Sequence, residues 1–377
     1  MKYRAIETFA WSAAIAAALA GGAVNAAESE VDALLARLMQ APSIVPAAGF
    51  EASMLVAPGK LYDPLWLHRH GKEMWVNDDG GEEGDKGSRI LALGGDGSLR
   101  VVVPLGRMLP VTGYDFAPPA FGDHAGRIYS LAQARVAAPG TTQNHVIQRI
   151  DTSSDALGEV LCTLQEAGAG KPRASGFGVD ARFGPAGSPF ADRFFALAAY
   201  NDTIYQINAA HECSVFVTFD GPITGAPLGL TFAADGQTML VTLKPGGFLA
   251  ESPPGSGLIA RVHADGRVDP TPVARGFTLP GGVMVSPAGF AGKGGEIFVT
   301  DIGEIQSPVP MTQALASDGK VYRVAADGKL ELVASGFINP LGLQVVDGAL
   351  WVTDINGDFI AGKRELPDGF VVKLTPR

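Results

Sequence analysis

Leu332–Asp354 reads LVASGFINPLGLQVVDGALWVTD, and two other parts of the chain repeat it. Leu55–Asp78 reads LVAPGKLYDPLWLHRHGKEMWVND; Val273–Asp301 reads VARGFTLPGGVMV, an insertion, then GGEIFVTD. The shared grammar is a short apolar strand ending in Ala-x-Gly, a loop, Pro-x-Gly-Leu opening a second strand, a turn, and Val-Thr-Asp closing a third. Repetition at a period of roughly 50–60 residues, made only of short strands, predicts an all-β propeller with one repeat per blade.

Extending the grammar along the chain gives six blades of four strands, a to d from the axis outward. They cover Pro64–Val103, Tyr114–Leu164, Gly176–Phe219, Pro227–Arg275, Pro280–Gly336 and a last blade from Pro340. The last blade runs out after three strands, at Leu374, while Ala52–Ala57 is an orphan that matches Leu330–Ala334. The N-terminal strand is therefore expected to complete blade six, leaving no open sheet edge at the seam. The propeller occupies residues 51–377.

Ahead of it, residues 1–26 read as a signal peptide: Lys2 and Arg4, an apolar Phe9–Ala20, then Val24-Asn25-Ala26. The apolar run is short of the ~20 residues that span a bilayer. The expected location is periplasmic or secreted. Residues 27–50 are read as a short helix over Glu28–Gln40, with Val31, Leu34, Leu35, Leu38 and Met39 on one face, followed by a linker. In an oxidising compartment the two cysteines, Cys162 and Cys213, could pair. The formal net charge is −10, with no basic run, which argues against nucleic acid and anionic membrane surfaces as partners. A small-molecule substrate, no membrane span and a monomer are expected.

Two places could carry chemistry. The b–c connections are long, at Asp78–Ser88, Ala132–Asn144, Leu243–Ser256, Asp301–Asp318 and Asp354–Asp368, and such loops commonly bind or cover a ligand. They place Phe248, Met311 and Phe359 as apolar contacts. They also begin at Asp78, Asp301 and Asp354, which either cap turns or offer hard oxygen ligands to a divalent cation such as calcium. The second place is the axis. Aligned repeats put His68, Asp115, Thr231, Met284 and Gln344 at one level of the inner strands, with Asp180 as the sixth if Gly178 is the matching glycine. Asp115, His68 and Asp180 are the candidate catalytic groups, since an imidazole and carboxylates in a confined channel suit acid–base work. Tyr114, Gln344 and Thr231 join the loop residues as candidate substrate contacts.

The segments PLGLQVVDGALWVTD and PLGLTFAADGQTMLVT resemble the blades of six-bladed NHL-repeat and senescence-marker/gluconolactonase/strictosidine-synthase-like propellers. That resemblance implies an enzyme, with a hydrolase or lactonase first and calcium as a possible cofactor. The calcium lactonases of the group carry Asn in Pro-Asn-Gly and Asp in Pro-Asp-Gly, where this chain has Leu228 and Gly281. Their Glu-Gly-Pro-x-Trp is similar to Tyr62-Asp63-Pro64-Leu65-Trp66. SGFINPLGL is also similar to a segment of quinone-dependent sugar dehydrogenases, with Ile338 in place of arginine. The leading expectation is an exported hydrolase acting on a small, partly apolar molecule at the channel mouth. A non-catalytic binding propeller is the alternative, and a quinone-dependent oxidoreductase or a lyase the third.

Overall fold

The computed structural model describes residues 36, 39–79, 88–134, 144–164, 178–247, 253–292, 294–303, 318–356 and 366–377. The expected signal peptide and most of the expected helix lie outside these residues. The chain first forms β1 (Val45–Pro46) and β2 (Phe50–Leu61). Blade one is β3 (Asp63–His70), β4 (Glu73–Asp79), β5 (Ser88–Leu93) and β6 (Leu99–Val103). Blade two is β7 (Val111–Phe116), β8 (Ile128–Ala134), β9 (Asn144–Ile150) and β10 (Glu159–Thr163). Blade three is β11 (Gly178–Phe183), β12 (Arg193–Ala198), β13 (Thr203–Asn208) and β14 (Cys213–Thr218). Blade four is β15 (Ala226–Phe232), β16 (Thr238–Lys244), β17 (Gly257–His263) and β18 (Ala274–Phe277). Blade five is β19 (Pro280–Val285), β20 (Ile297–Asp301), β21 (Gly319–Val324) and β22 (Leu330–Phe337). Blade six is β23 (Pro340–Val346), β24 (Ala349–Asp354) and β25 (Gly369–Pro376).

Each blade is one antiparallel sheet, and β2 pairs with β25 as the outer strand of blade six. The N-terminal strand thus closes the ring as the orphan segment predicts. It is longer than Ala52–Ala57, because the pairing runs from Phe50 opposite Pro376 to Leu61 opposite Gly369. The segment read as a linker has a role of its own: Val45 and Pro46 pair with Ser335 and Ala334, adding a fifth strand to blade five. The six inner strands β3, β7, β11, β15, β19 and β23 each touch the next around the axis.

The repeated motif now has a physical explanation. In Pro-x-Gly, a Cβ at Gly229, Gly282 or Gly342 would lie 2.5, 2.3 or 2.4 Å from the carbonyl oxygen of Gly281, Leu341 or Leu65 in the following blade. Only glycine allows inner strands to approach so closely. The threonine of Val-Thr-Asp uses that approach. Thr353 Oγ1 accepts the N–H of Gly342 (2.8 Å) and donates to Leu65 O of blade one (2.6 Å). Thr242 and Thr300 do the same toward Gly281 O (2.6 Å) and Leu341 O (2.8 Å). Asn77 substitutes in blade one, accepting from Trp66 N and donating to Val111 O. The aspartate caps the turn before its own inner strand. Asp354 accepts from Ile338 N and Asn339 N; Asp301 accepts from Thr278 N and Leu279 N.

Blades two and three have Leu131 and Leu197 at the threonine position, so their seams need another donor or acceptor. Asp115 Oδ2 accepts from Phe183 N across the two–three seam (2.9 Å), and Asp180 Oδ2 accepts from Leu230 N across the three–four seam (3.0 Å). A disulfide, Cys162–Cys213, also ties the outer strands of blades two and three. Closing a loop of 51 residues stabilises by about 4 kcal/mol in the chain-entropy account. Apolar side chains fill the spaces between blades: Phe190, Phe195 and Leu258 between three and four, and Phe298, Phe337 and Phe370 around five and six.

Two outcomes follow from closure. Removing residues up to Ala57 strips most of β2, so the melting temperature should fall by roughly 10 °C or more and the exposed edge should aggregate. Differential scanning and light scattering check this; a monomer with unchanged melting places the seam elsewhere. Thr353→Val keeps the volume but leaves buried backbone groups of Gly342 and Leu65 unpaired, an expected loss of about 1–3 kcal/mol in denaturant unfolding at unchanged m-value.

Candidate functional site

Strand pairing fixes which inner-strand residues share a level. Leu67, Tyr114, Ala181, Leu230, Val283 and Leu343 share one level after the register shift and pair with Val76, Ser130, Ala196, Val241, Val299 and Val352. The next residues are His68, Asp115, Arg182, Thr231, Met284 and Gln344. Asp115 therefore shares the level of His68, whereas Asp180 sits two residues before Arg182. The difference has one cause: a level anchored on glycines shifts in blade three, where Gly178 precedes the bulge.

The polar groups of blades one and two meet at this level. His68 Nδ1 lies 3.5 Å from Asp115 Oδ1, and the His68 and Tyr114 rings are tilted against each other at 4.5 Å. Asp115 also accepts from Phe116 N (2.8 Å) and Phe183 N (2.9 Å). Burial acts to raise its pKa, but the hydrogen bond and charge of His68, the Phe183 N–H and the charge of Arg182 together hold it below the usual carboxylate range. Burial also pushes the Tyr114 hydroxyl well above its ordinary value. His68 Nε2 and Tyr114 Oη are both buried and without a hydrogen-bond partner among the described residues. Asp180 is fully buried and spent on Ala181 N, Leu230 N and Arg182 Nε (3.4 Å). Its geometry is that of a structural staple. Gln344 and Thr231 are half-buried at the same level on other blades.

Trp66 decides which side of the axis these groups serve. Its indole Nε1 donates to Val179 O of blade three (2.8 Å), and its ring edge lies 3.1 Å from where a Cβ on Gly282 of blade five would be. The indole therefore lies across the axis. On the side of the b–c connections it is joined by Val179, Leu228 and Leu279 in an apolar cluster. His68 lies beyond it, toward the a–b hairpins, where His70, Trp75 and Phe116 pack ring to ring at 4.4–5.1 Å.

Asp78, Asp301 and Asp354 are distributed over three blades and engaged with N–H donors. Asp78 accepts from Tyr62 N (2.9 Å) and pairs with Arg89 at 2.6 Å. Burial raises Asp78 to about 7 and Asp354 to about 6. Among the described residues no group of three His, Cys, Asp or Glu side chains could hold a metal ion, so this donor set does not fit calcium. Leu228 and Gly281, at two positions where the lactonases carry ligands, are committed to the apolar cluster and to the Thr242 bond. Phe248, Met311 and Phe359 lie outside the described residues. Arg182 and Trp66 are the residues the repeat alignment missed; anchoring blade three on Ala196 in strand b would have placed Arg182 at the level of His68.

No protein-family model matches the chain, and no curated protein matches it. Solved structures do match. A glucose dehydrogenase aligns with a TM-score of 0.54 at 13% identity, covering 86% of this chain and 99% of that one. The calcium structure of Trichoderma reesei Carbohydrate-Active Enzymes Family AA12 gives 0.52 at 11%, covering 90% and 98%. A gluconolactonase-like protein gives 0.50 at 13%, covering 88% and 94%. These are similarities of fold. They agree with the propeller fold read from the repeated Pro-x-Gly-Leu and Val-Thr-Asp segments.

Asp115 has a depressed folded-state pKa, so its seam and His68 contacts stabilise fully above the ordinary carboxylate pKa of about 4 and are lost as pH falls through the lower folded value. The difference in unfolding free energy between the protein and Asp115→Asn should thus be largest near neutral pH and shrink on acidification. A pH-independent difference would show that the carboxylate charge contributes nothing there.

Proposed function

We propose that the protein is an exported hydrolase that opens a small, partly apolar ester or lactone, with His68 as the proton-transferring group. One observation carries this reading: the imidazole has Nδ1 directed at the Asp115 carboxylate and a buried Nε2 that no described residue satisfies. A base oriented by a carboxylate with its second nitrogen unengaged is an acid–base arrangement. In the reaction, Nε2 takes a proton from water as the water oxygen bonds to the carbonyl carbon. The tetrahedral oxyanion collapses, the ester C–O bond breaks, and the proton on Nε2 passes to the leaving alkoxide, giving acid and alcohol. Asp115 stabilises the imidazolium, and Tyr114 Oη supplies a donor for the oxyanion. The half-buried aromatic side chains His70 and Phe116 suit a substrate that is partly apolar.

No step is routed through a metal, because the three aspartates are occupied by backbone and guanidinium donors. The glucose dehydrogenase and gluconolactonase-like neighbours are compatible with an enzyme on this scaffold, and the Cys162–Cys213 disulfide supports an oxidising compartment. No helix among the described residues is long and apolar enough to cross a membrane.

The test is a panel of aryl esters and lactones assayed with purified protein. On any substrate turned over, His68→Gln should lower kcat/KM by about 100-fold or more, with melting shifted by only a few degrees. Unchanged kcat/KM in His68→Gln removes His68 from the chemistry, and a panel with no turnover removes the hydrolase reading.

A further inference from the structure

The space between blades one and two differs from the other seams. One residue before the level of His68, strand b contributes Val76, Ala196, Val241, Val299 and Val352 in five blades, each opposite its inner-strand residue. In blade two the corresponding residue is Ser130, opposite Tyr114, and strand c continues the row with Gln148. Ser130 and Gln148 are fully buried. Neighbours paired across strands place their side chains on one face, so Tyr114, Ser130 and Gln148 form a polar row from the axis outward. Blade one faces it with Trp75 and Ala92, which share its core cluster with Tyr114.

Few of these polar atoms are satisfied by protein. Ser130 Oγ, Tyr114 Oη and His68 Nε2 have no hydrogen-bond partner among the described residues. Among the described residues Gln148 makes only long contacts, to the backbone of Leu109 at 3.4 and 3.5 Å. A buried hydroxyl without a partner costs about 1–3 kcal/mol, and three such atoms in one row are sustained where water bridges them. Serine stands where the other blades carry Val or Ala, so its hydroxyl is a polar group that packing does not call for.

We infer that the seam between blades one and two holds a file of ordered water, running from His68 Nε2 past Tyr114 Oη and Ser130 Oγ to Gln148, through which His68 exchanges protons with solvent. Transfer along it is balanced: each water or hydroxyl accepts a proton on oxygen and passes its own to the next, so no group changes its net charge. The proton path rests on the reading of His68 as the proton-transferring group; the water site does not.

Two experiments separate these. A high-resolution crystal structure of the full chain should show water within hydrogen-bond distance of His68 Nε2, Tyr114 Oη and Ser130 Oγ. A dry seam, or side chains rearranged to bond one another, overturns the inference. Solution NMR then follows solvent exchange of the His68 ring N–H in the protein, in Ser130→Val and in Tyr114→Phe. Slowing of roughly tenfold or more in each folded variant supports the path. Unchanged exchange in Tyr114→Phe, the milder change should Ser130→Val fail to fold, overturns it. Neither readout needs a substrate, so an inactive panel with a wet seam sinks the hydrolase and leaves the water file standing.

Discussion

The close approach of the six inner strands is the constraint on which the rest depends. Bringing strands from neighbouring blades within reach of a single side chain leaves backbone groups facing one another at the axis with no sheet ladder to pair them. A buried N–H or carbonyl left alone there costs as much as several favourable contacts provide. Each seam therefore carries a side-chain bridge: Asn77, Asp115, Asp180, Thr242, Thr300 and Thr353, in order around the ring. The glycine of Pro-x-Gly and the threonine of Val-Thr-Asp are two halves of one device, since the hydroxyl reaches the next blade only where the intervening Cβ is missing.

This is why the fold was so legible in the sequence. A device repeated blade by blade leaves a periodic trace, and the trace located blade boundaries, the closing strand and the turn-capping aspartates. The level of the axial residues was less legible. Spacing from glycine counts residues along the chain, but the bulge in each inner strand determines which residue faces which. In blade three the glycine, Gly178, precedes that bulge. Asp180 thus looked like a member of the polar ring when it lies two residues short of it; Asp115 does share the level of His68, and both carboxylates bridge seams. Arg182 and the Trp66 plug left no periodic trace, because each occurs once.

Asp115 carries two duties that oppose each other mildly. As a seam bridge it should be fixed and fully paired; in the reaction proposed above it must also retain enough charge to hold an imidazolium. The geometry accommodates both by dividing the oxygens: Oδ2 receives Phe183 N, while Oδ1 faces His68 and receives only Phe116 N. A neutral threonine at this seam could bridge the backbone but could not orient a histidine. Asp180 has no such remainder, since Ala181, Leu230 and Arg182 use both of its oxygens.

The departures from the repeat are greatest in blades two and three. These lack both the bridging threonine and the Val-Thr-Asp carboxylate, whereas blade one keeps the carboxylate beside Asn77 and blade four keeps the threonine beside Leu243. They also carry the disulfide and supply Asp115, Tyr114, Ser130 and Arg182. Sequences that specify one structure tend to break their own local rules at sites of function, where another requirement competes with packing. The disulfide fits the same logic: with the neutral bridge gone from these blades, a covalent tie between their outer strands offsets what a more polar interior loses. The Trp66 indole then gives this altered sector its boundary. It separates the axial polar groups, His68 among them, from the apolar cluster on the loop side.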